Sequence, residues 1–354
     1  MRISSHAGLV LALIGCGPDA IIDPANVEIA FVRTHYDGEL QQQLRGFTPG
    51  SRDVALLPPE PVGAQIGGLC WSPNGRLLAY WRRLDDDDLE QIQLFDPEVG
   101  EARALTQGAS PAWSPVGLEL GFLRRQADGN ELRIIDVETQ AERRVGTGHV
   151  TSFSWAPDGA RLVVAGLWPE HDSNSALYVV DAQTGEAVRI DPDPPNASSL
   201  PSDTGPKWSP DGSTIAFISA GRSAEDVYSA IYRVDPNGAN FREASSPAYG
   251  VRSIEWSPLG GRFAYSYWHF DAVSPSDYGV GLSSGRGFEG AKWVAWSPDA
   301  NALAVVQNTR GELGEFTRLR VELIDGPPSP GPESGDPAWS DTDPAWRRLP
   351  SASP

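Results

Sequence analysis

Two kinds of short apolar stretch alternate along this chain, each bounded by turn-forming residues. The first kind is seen at Arg76 to Tyr80 (RLLAY), Thr214 to Ile218 (TIAFI) and Ala302 to Val306 (ALAVV). The second ends on an aspartate: Ile92 to Asp96 (IQLFD), Leu132 to Asp136 (LRIID), Leu177 to Asp181 (LYVVD), Ile231 to Asp235 (IYRVD) and Val321 to Asp325 (VELID). Their length and their β-branched and aromatic content predict strands rather than helices. Turn residues follow each aspartate (DPEVGE, DAQTGE, DPNGAN), and then a short polar strand such as Glu101 to Leu105 or Glu186 to Ile190.

The strands are set in register by a tag that precedes the first kind. It stands at Trp71 (WSPNG), Trp113 (WSPVG), Trp155 (WAPDG), Trp208 (WSPDG), Trp256 (WSPLG) and Trp296 (WSPDA), with successive spacings of 42, 42, 53, 48 and 40 residues. That period is the length of a four-stranded propeller blade. Proline presets φ for a turn, Asp or Asn follows, and glycine takes the left-handed position, so the tag reads as a hairpin corner. The indole before it fills the wedge between blades, burying on the order of 150–250 Å². The six tag tryptophans are therefore read as structural. The pattern resembles the TolB-type, WD-repeat-like propeller family, in which a WSPDG tag, an IAF-like strand and an IYxxD strand recur. The resemblance implies an all-β fold and says little about function. TolB itself has a further N-terminal α/β domain, whereas here fewer than a dozen residues separate Cys16 from the first strand; the partners of TolB are not carried over.

Val27 to Val32 reads as the strand that should follow a tag, yet no tag precedes it. Asp343-Pro344-Ala345-Trp346-Arg347 is an orphan tag strand at the other end. Pairing the two completes a blade and leaves no free edge. The expectation is a single β-propeller of seven four-stranded blades, with six as the alternative, closed by pairing of the N- and C-terminal strands. Residues 1–15 read as a signal peptide, 16–26 as a tether, 27–349 as the propeller and 350–354 as a tail.

The signal rests on Arg2, a short apolar run from Ala7 to Gly15, and Leu13-Ile14-Gly15-Cys16, which resembles the bacterial lipobox. Lipidation is expected at Cys16, giving a membrane anchor in the cell envelope, with Gly17 pointing to the outer membrane. Cys70 is the only other cysteine, so no intramolecular disulfide is expected once Cys16 is acylated. A net charge of −19 and only two lysines, Lys207 and Lys292, argue against nucleic acid. The 40% hydrophobic content with twelve tryptophans supplies a core.

Chemical motifs are few. Gly281-Leu282-Ser283-Ser284-Gly285 matches G-x-S-x-G, but the last histidine, His269, lies upstream, and the serine nucleophile elbow needs one downstream. Asp85 to Asp88 lacks the spacing of a calcium loop and reads as a solvated tip. No metal, cofactor or catalytic residue is assigned. The long insertions (residues 168–175, 191–206, 221–228, 268–278 and 308–317) all fall on B–C loops or D–A connections, which emerge on one face of the ring. Loops on a rigid scaffold carry function, so Arg82, Arg83, Arg124, Arg125, Trp168, His171, Tyr267, Trp268 and His269 form the candidate binding face. The reading is a monomeric, non-enzymatic scaffold that binds an envelope protein or a glycan. The alternative is a glycan-active lyase or hydrolase at the central channel.

Overall fold

The computed structural model describes residues 23–36, 38–84, 89–168, 171–191, 204–222, 227–245, 250–268, 278–311, 314–324 and 339–348. Seven antiparallel sheets follow one another along the chain, which is the expected seven-bladed propeller. Strands A to D of blade 2 are Gln65–Trp71, Leu78–Arg83, Gln91–Asp96 and Glu101–Gln107. Blade 3 is Ala109–Trp113, Glu119–Gln126, Gly129–Asp136 and Glu142–Arg144; blade 4 is His149–Trp155, Arg161–Trp168, His171–Asp181 and Ala187–Arg189. Blade 5 is Thr204–Trp208, Ile215–Arg222, Val227–Val234 and Arg242–Ser245, and blade 6 is Gly250–Trp256, Phe263–Trp268, Tyr278–Leu282 and Gly287–Glu289. Blade 7 has three strands among the described residues, Ala291–Trp296, Ala302–Gly311 and Gly314–Leu323. Successive A strands touch all the way round, so they form the innermost ring.

Blade 1 joins the two ends of the chain. Its A strand is Trp339–Trp346, its B strand Ile29–Tyr36, its C strand Leu40–Phe47 and its D strand Val54–Ala55. The A and B strands run antiparallel from Ile29 opposite Trp346 to His35 opposite Trp339. Polar groups inside the ring hold this seam. Arg33, 3% exposed, donates to both carboxylate oxygens of the fully buried Asp341 (2.7 and 3.2 Å) and to Asp53 (2.8 Å), which also receives Arg45. Asp341 reaches blade 7 as well. Its carboxylate accepts the Leu319 N–H (3.2 Å), and its carbonyl accepts the Thr317 hydroxyl (2.6 Å). Arg347 then fastens the chain end by donating to the carbonyls of Gly75 (2.5 Å) and Ala25 (2.6 Å) while lying 4.7 Å over the Trp71 ring.

The tags form six equivalent hairpins. In each, the residue after the tryptophan donates its N–H to the carbonyl five residues on, from Ser72 to Leu77 through Ser297 to Ala302. Glycine occupies the left-handed position in five of them, from Gly75 (φ 70°) to Gly260 (φ 71°); in the sixth, Ala300 takes φ 60°. Apolar clusters then fill the wedges between neighbouring blades; the one between blades 3 and 4 joins Leu132 and Ile134 to Leu162, Val164 and Tyr178.

The tag indoles do more than fill space. Trp71, Trp113, Trp155, Trp256 and Trp296 each donate Nε1–H to a carbonyl one blade back: Ala345, Cys70, Ala112, Lys207 and Glu255, at 3.0–3.2 Å. Each acceptor immediately precedes the tag tryptophan of its own blade. Trp208 instead bonds the Gly212 carbonyl of its own turn (3.1 Å), and the buried Nε1 of Trp346 has no partner among the described residues. A neutral hydrogen bond contributes about 1 kcal/mol net, and leaving its acceptor unmet adds to the loss. Trp155→Phe should therefore lower stability by about 1–2 kcal/mol and Trp346→Phe by less than half of that, as read from urea midpoints.

Candidate functional site

The B strands end, and the A and C strands begin, at one end of the ring, and the tag turns lie at the other. The loop end carries the candidate residues that the structure describes. Arg82 is held by Glu60 (2.7 Å), and Arg83 by Gln65 (2.5 Å) with Glu90 at 3.6 Å. Arg124 is held by both oxygens of Glu142 (2.6 and 2.9 Å), by Thr106 (2.6 Å) and against the Phe122 ring. Arg125, on the opposite side of the same strand, is exposed. Trp168 departs from the expected surface position: it is 4% exposed, tilted on Tyr178 with ring centres 5.1 Å apart. It lies directly over Gly146 and Gly148, where a Cβ on Gly148 would fall 2.2 Å from the indole. It is a wedge residue. The side chains of His171 and His269 and the Asp85 to Asp88 run lie outside the described residues, as does Cys16.

Glu142 is the electrostatic centre of this side. Burial alone would raise its pKa, but hydrogen bonds from Arg124 and Arg133 hold it below the ordinary 4.5. A carboxylate whose folded pKa is depressed contributes stability above its unfolded value and loses that contribution as pH falls through the folded one. Glu142→Gln should thus lower stability by about 1 kcal/mol at pH 7, since water screens this partly exposed pair. The gap between variant and parent should close as pH is lowered below about 4.5, which urea titrations at pH 7, 5 and 3 would read.

A different group of residues meets at the junction of blades 6 and 7. Each A strand carries one residue too many for its B-strand partner, a bulge that turns a side chain out of the ladder. In blades 1, 2, 3 and 5 the bulge holds a left-handed residue: Asp343, Gly68, Ser110 and Gly205, at φ 49° to 64°. In blades 6 and 7 the register shifts at Arg252 and Lys292 instead. The Lys292 ammonium lies 4.4 Å from the centre of the Tyr278 ring, and the exposed Arg252 guanidinium lies 5.8 Å from the same centre and 5.7 Å from that of Trp268. Glycines let the Trp268 and Tyr267 rings approach the backbone closely. A Cβ on Gly250 would sit 2.4 Å from the Trp268 indole, and one on Gly279 would sit 2.3 Å from Tyr267. Tyr267 and Trp268 were legible as candidates; Arg252, Tyr278 and Lys292 were missed. The signal that could have found them is the spacing to the tag: Arg252 and Lys292 both stand four residues before their tag tryptophan.

The G-x-S-x-G segment sits in a strand followed by a turn, not in a strand-turn-helix. The Ser283 hydroxyl accepts the Phe263 N–H (3.0 Å), and the Ser283 N–H returns a bond to the Phe263 carbonyl (2.9 Å). It is a turn residue. Among the described residues no three His, Cys, Asp or Glu side chains are grouped closely enough to hold a metal ion.

Residues 103–272 match the family model described as TolB beta propeller domain. The uncharacterized peptidase YuxL of Bacillus subtilis (strain 168) is 34% identical over 114 residues, 31% of this chain and 16% of that protein, so the match spans about a sixth of this curated relative's length. Among solved structures, a putative TolB from Agrobacterium tumefaciens superposes with a TM-score of 0.53 at 16% identity, covering 84% of this chain and 99% of that one. An oligogalacturonate lyase from Vibrio parahaemolyticus gives 0.55 at 16% identity, covering 84% and 83%. At these identities the two structures share the fold alone.

Proposed function

Because residues 103–272 carry the TolB β-propeller domain and the full ring has that architecture, we propose that the chain is a non-enzymatic binding module of the bacterial cell envelope. It is tethered through a lipid on Cys16 and presents its loop face to a protein or glycan partner. The observation that carries this reading is the cationic and aromatic cluster of Arg252, Trp268, Tyr278 and Lys292 at the mouth of the blade 6–7 wedge. It belongs to a ring whose interior is given over to packing, and whose other loop-face arginines are largely engaged by neighbouring carboxylates. A face of this kind favours recognition over bond-making, since no nucleophile, base and orienting group converge there among the described residues.

Two experiments test the reading. Cys16→Ala should move the protein from the membrane fraction to the soluble one, as seen by fractionation and immunoblot, because the lipid is the anchor. Full-length protein captured from detergent-solubilised envelopes should retain a partner that Tyr267→Ala/Trp268→Ala loses while Val99→Ser, on the tag-turn side, keeps it. Equal capture by both variants would refute the loop face as the binding surface.

A further inference from the structure

We propose that the blade 6–7 mouth is a binding site for a carboxylate-bearing saccharide, a uronic-acid glycan in chemical terms. The inference rests on the loop face being the binding surface and names what it takes. Three observations converge. First, both bulges present a cation at the same height on adjacent A strands, and both cations lean on one phenol ring, Tyr278. A chain of net charge −19 has no general excess of cations to place two of them on one ring by chance. Second, Arg252 is exposed and no carboxylate lies within ion-pair distance of it among the described residues, whereas Arg82 and Arg124, on blades 2 and 3, are held by Glu60 and Glu142. Third, the cations sit among half-buried rings, Tyr278 and Trp268, the latter laid against the backbone at Gly250.

Cations beside aromatic faces suit a ligand that offers carboxylates and C–H faces together. A uronate sugar does so, its ring stacking on the phenol or indole while the guanidinium takes the carboxylate in bidentate fashion. A free phosphate would use the charges and leave the rings idle. An acidic peptide entering as an added strand would need an open sheet edge; at this mouth Gly250–Trp256 pairs with Phe263–Trp268, which pairs with Tyr278–Leu282.

The test uses purified full-length protein in detergent and isothermal titration with a uronate hexasaccharide, its fully methyl-esterified form and a hexaglutamate peptide. The expected result is at least tenfold weaker binding of the ester and of the peptide. Arg252→Gln and Lys292→Gln should each weaken uronate binding at least tenfold, Arg252→Lys should recover part of it, and Arg125→Gln should stay within twofold of the parent. Unchanged urea midpoints would tie the losses to the site. Equal binding of acid and ester, wild-type binding by Arg252→Gln, or tighter binding of the peptide would overturn the proposal. If no uronate binds while envelope capture still depends on Tyr267 and Trp268, the saccharide inference falls and the binding-face reading stands.

Discussion

Asp341→Ala is expected to lower stability by about 3 kcal/mol, the low end of the loss for removing one partner of a buried ion pair, because Arg33 keeps Asp53. The removed carboxylate would leave Arg33, which is 3% exposed, with only one of its two carboxylate partners, Asp53, and would also release the Leu319 N–H on blade 7. Because Asp341 lies on the strand that closes the ring, the damage is not local: blade 1 loses the carboxylate's bond to the Leu319 N–H of blade 7 and keeps only the main-chain bond from Thr317. The companion change Arg33→Leu in the same chain should recover part of the loss, since the under-compensated buried charge is then gone, and a double-mutant cycle in urea would show the two changes to be strongly non-additive. Additive losses, or a loss below 1 kcal/mol for Asp341→Ala, would mean that the pair does not hold the seam.

Trp168→Ala is expected to cost about 3–5 kcal/mol, the range for emptying a large aromatic from a well-packed site. The indole fills the wedge between blades 3 and 4 alongside Leu132, Ile134, Leu162, Val164 and Tyr178. Gly146 and Gly148 leave no Cβ to collapse into the void. Trp168→Phe should cost less than half as much. Any folded variant should keep the partner captured by the parent, since residue 168 lies beneath the binding face and not on it. Urea midpoints and envelope capture on the same preparations would separate the two effects.

The contrast between Trp168 and Trp268 shows what the chain makes legible. Side chains alternate along a strand, so Trp168 shares the parity of Leu162 and Val164 and turns inward with them. That parity was readable, and the position of Trp168 next to an insertion outweighed it. The tags were legible because each residue type answers a local need: proline and glycine set the hairpin, and the indole reaches back to the preceding blade. Closure was legible for the same reason, since Asp343 to Arg347 is a tag strand with no strand after it, and it pairs with Ile29–Tyr36. The partners of the loop-face arginines were not. Glu60 lies 22 residues from Arg82 and Glu142 lies 18 from Arg124, and only the return of the chain within or between blades brings them together. The bulges escaped because one extra residue per A strand changes no composition and no period. It does change which way Arg252 and Lys292 point.

The loop face as the binding surface is tested most directly by site-specific photo-crosslinking in cells that express the full-length protein. One photoreactive residue would replace the exposed Glu289, at the end of the blade 6 D strand beside the cluster, and another would replace Leu259 in a tag turn at the opposite end, where the side chain is 78% exposed. A crosslinked species is expected from position 289 and none from position 259. A species from position 259 alone would place recognition on the tag-turn face and contradict it.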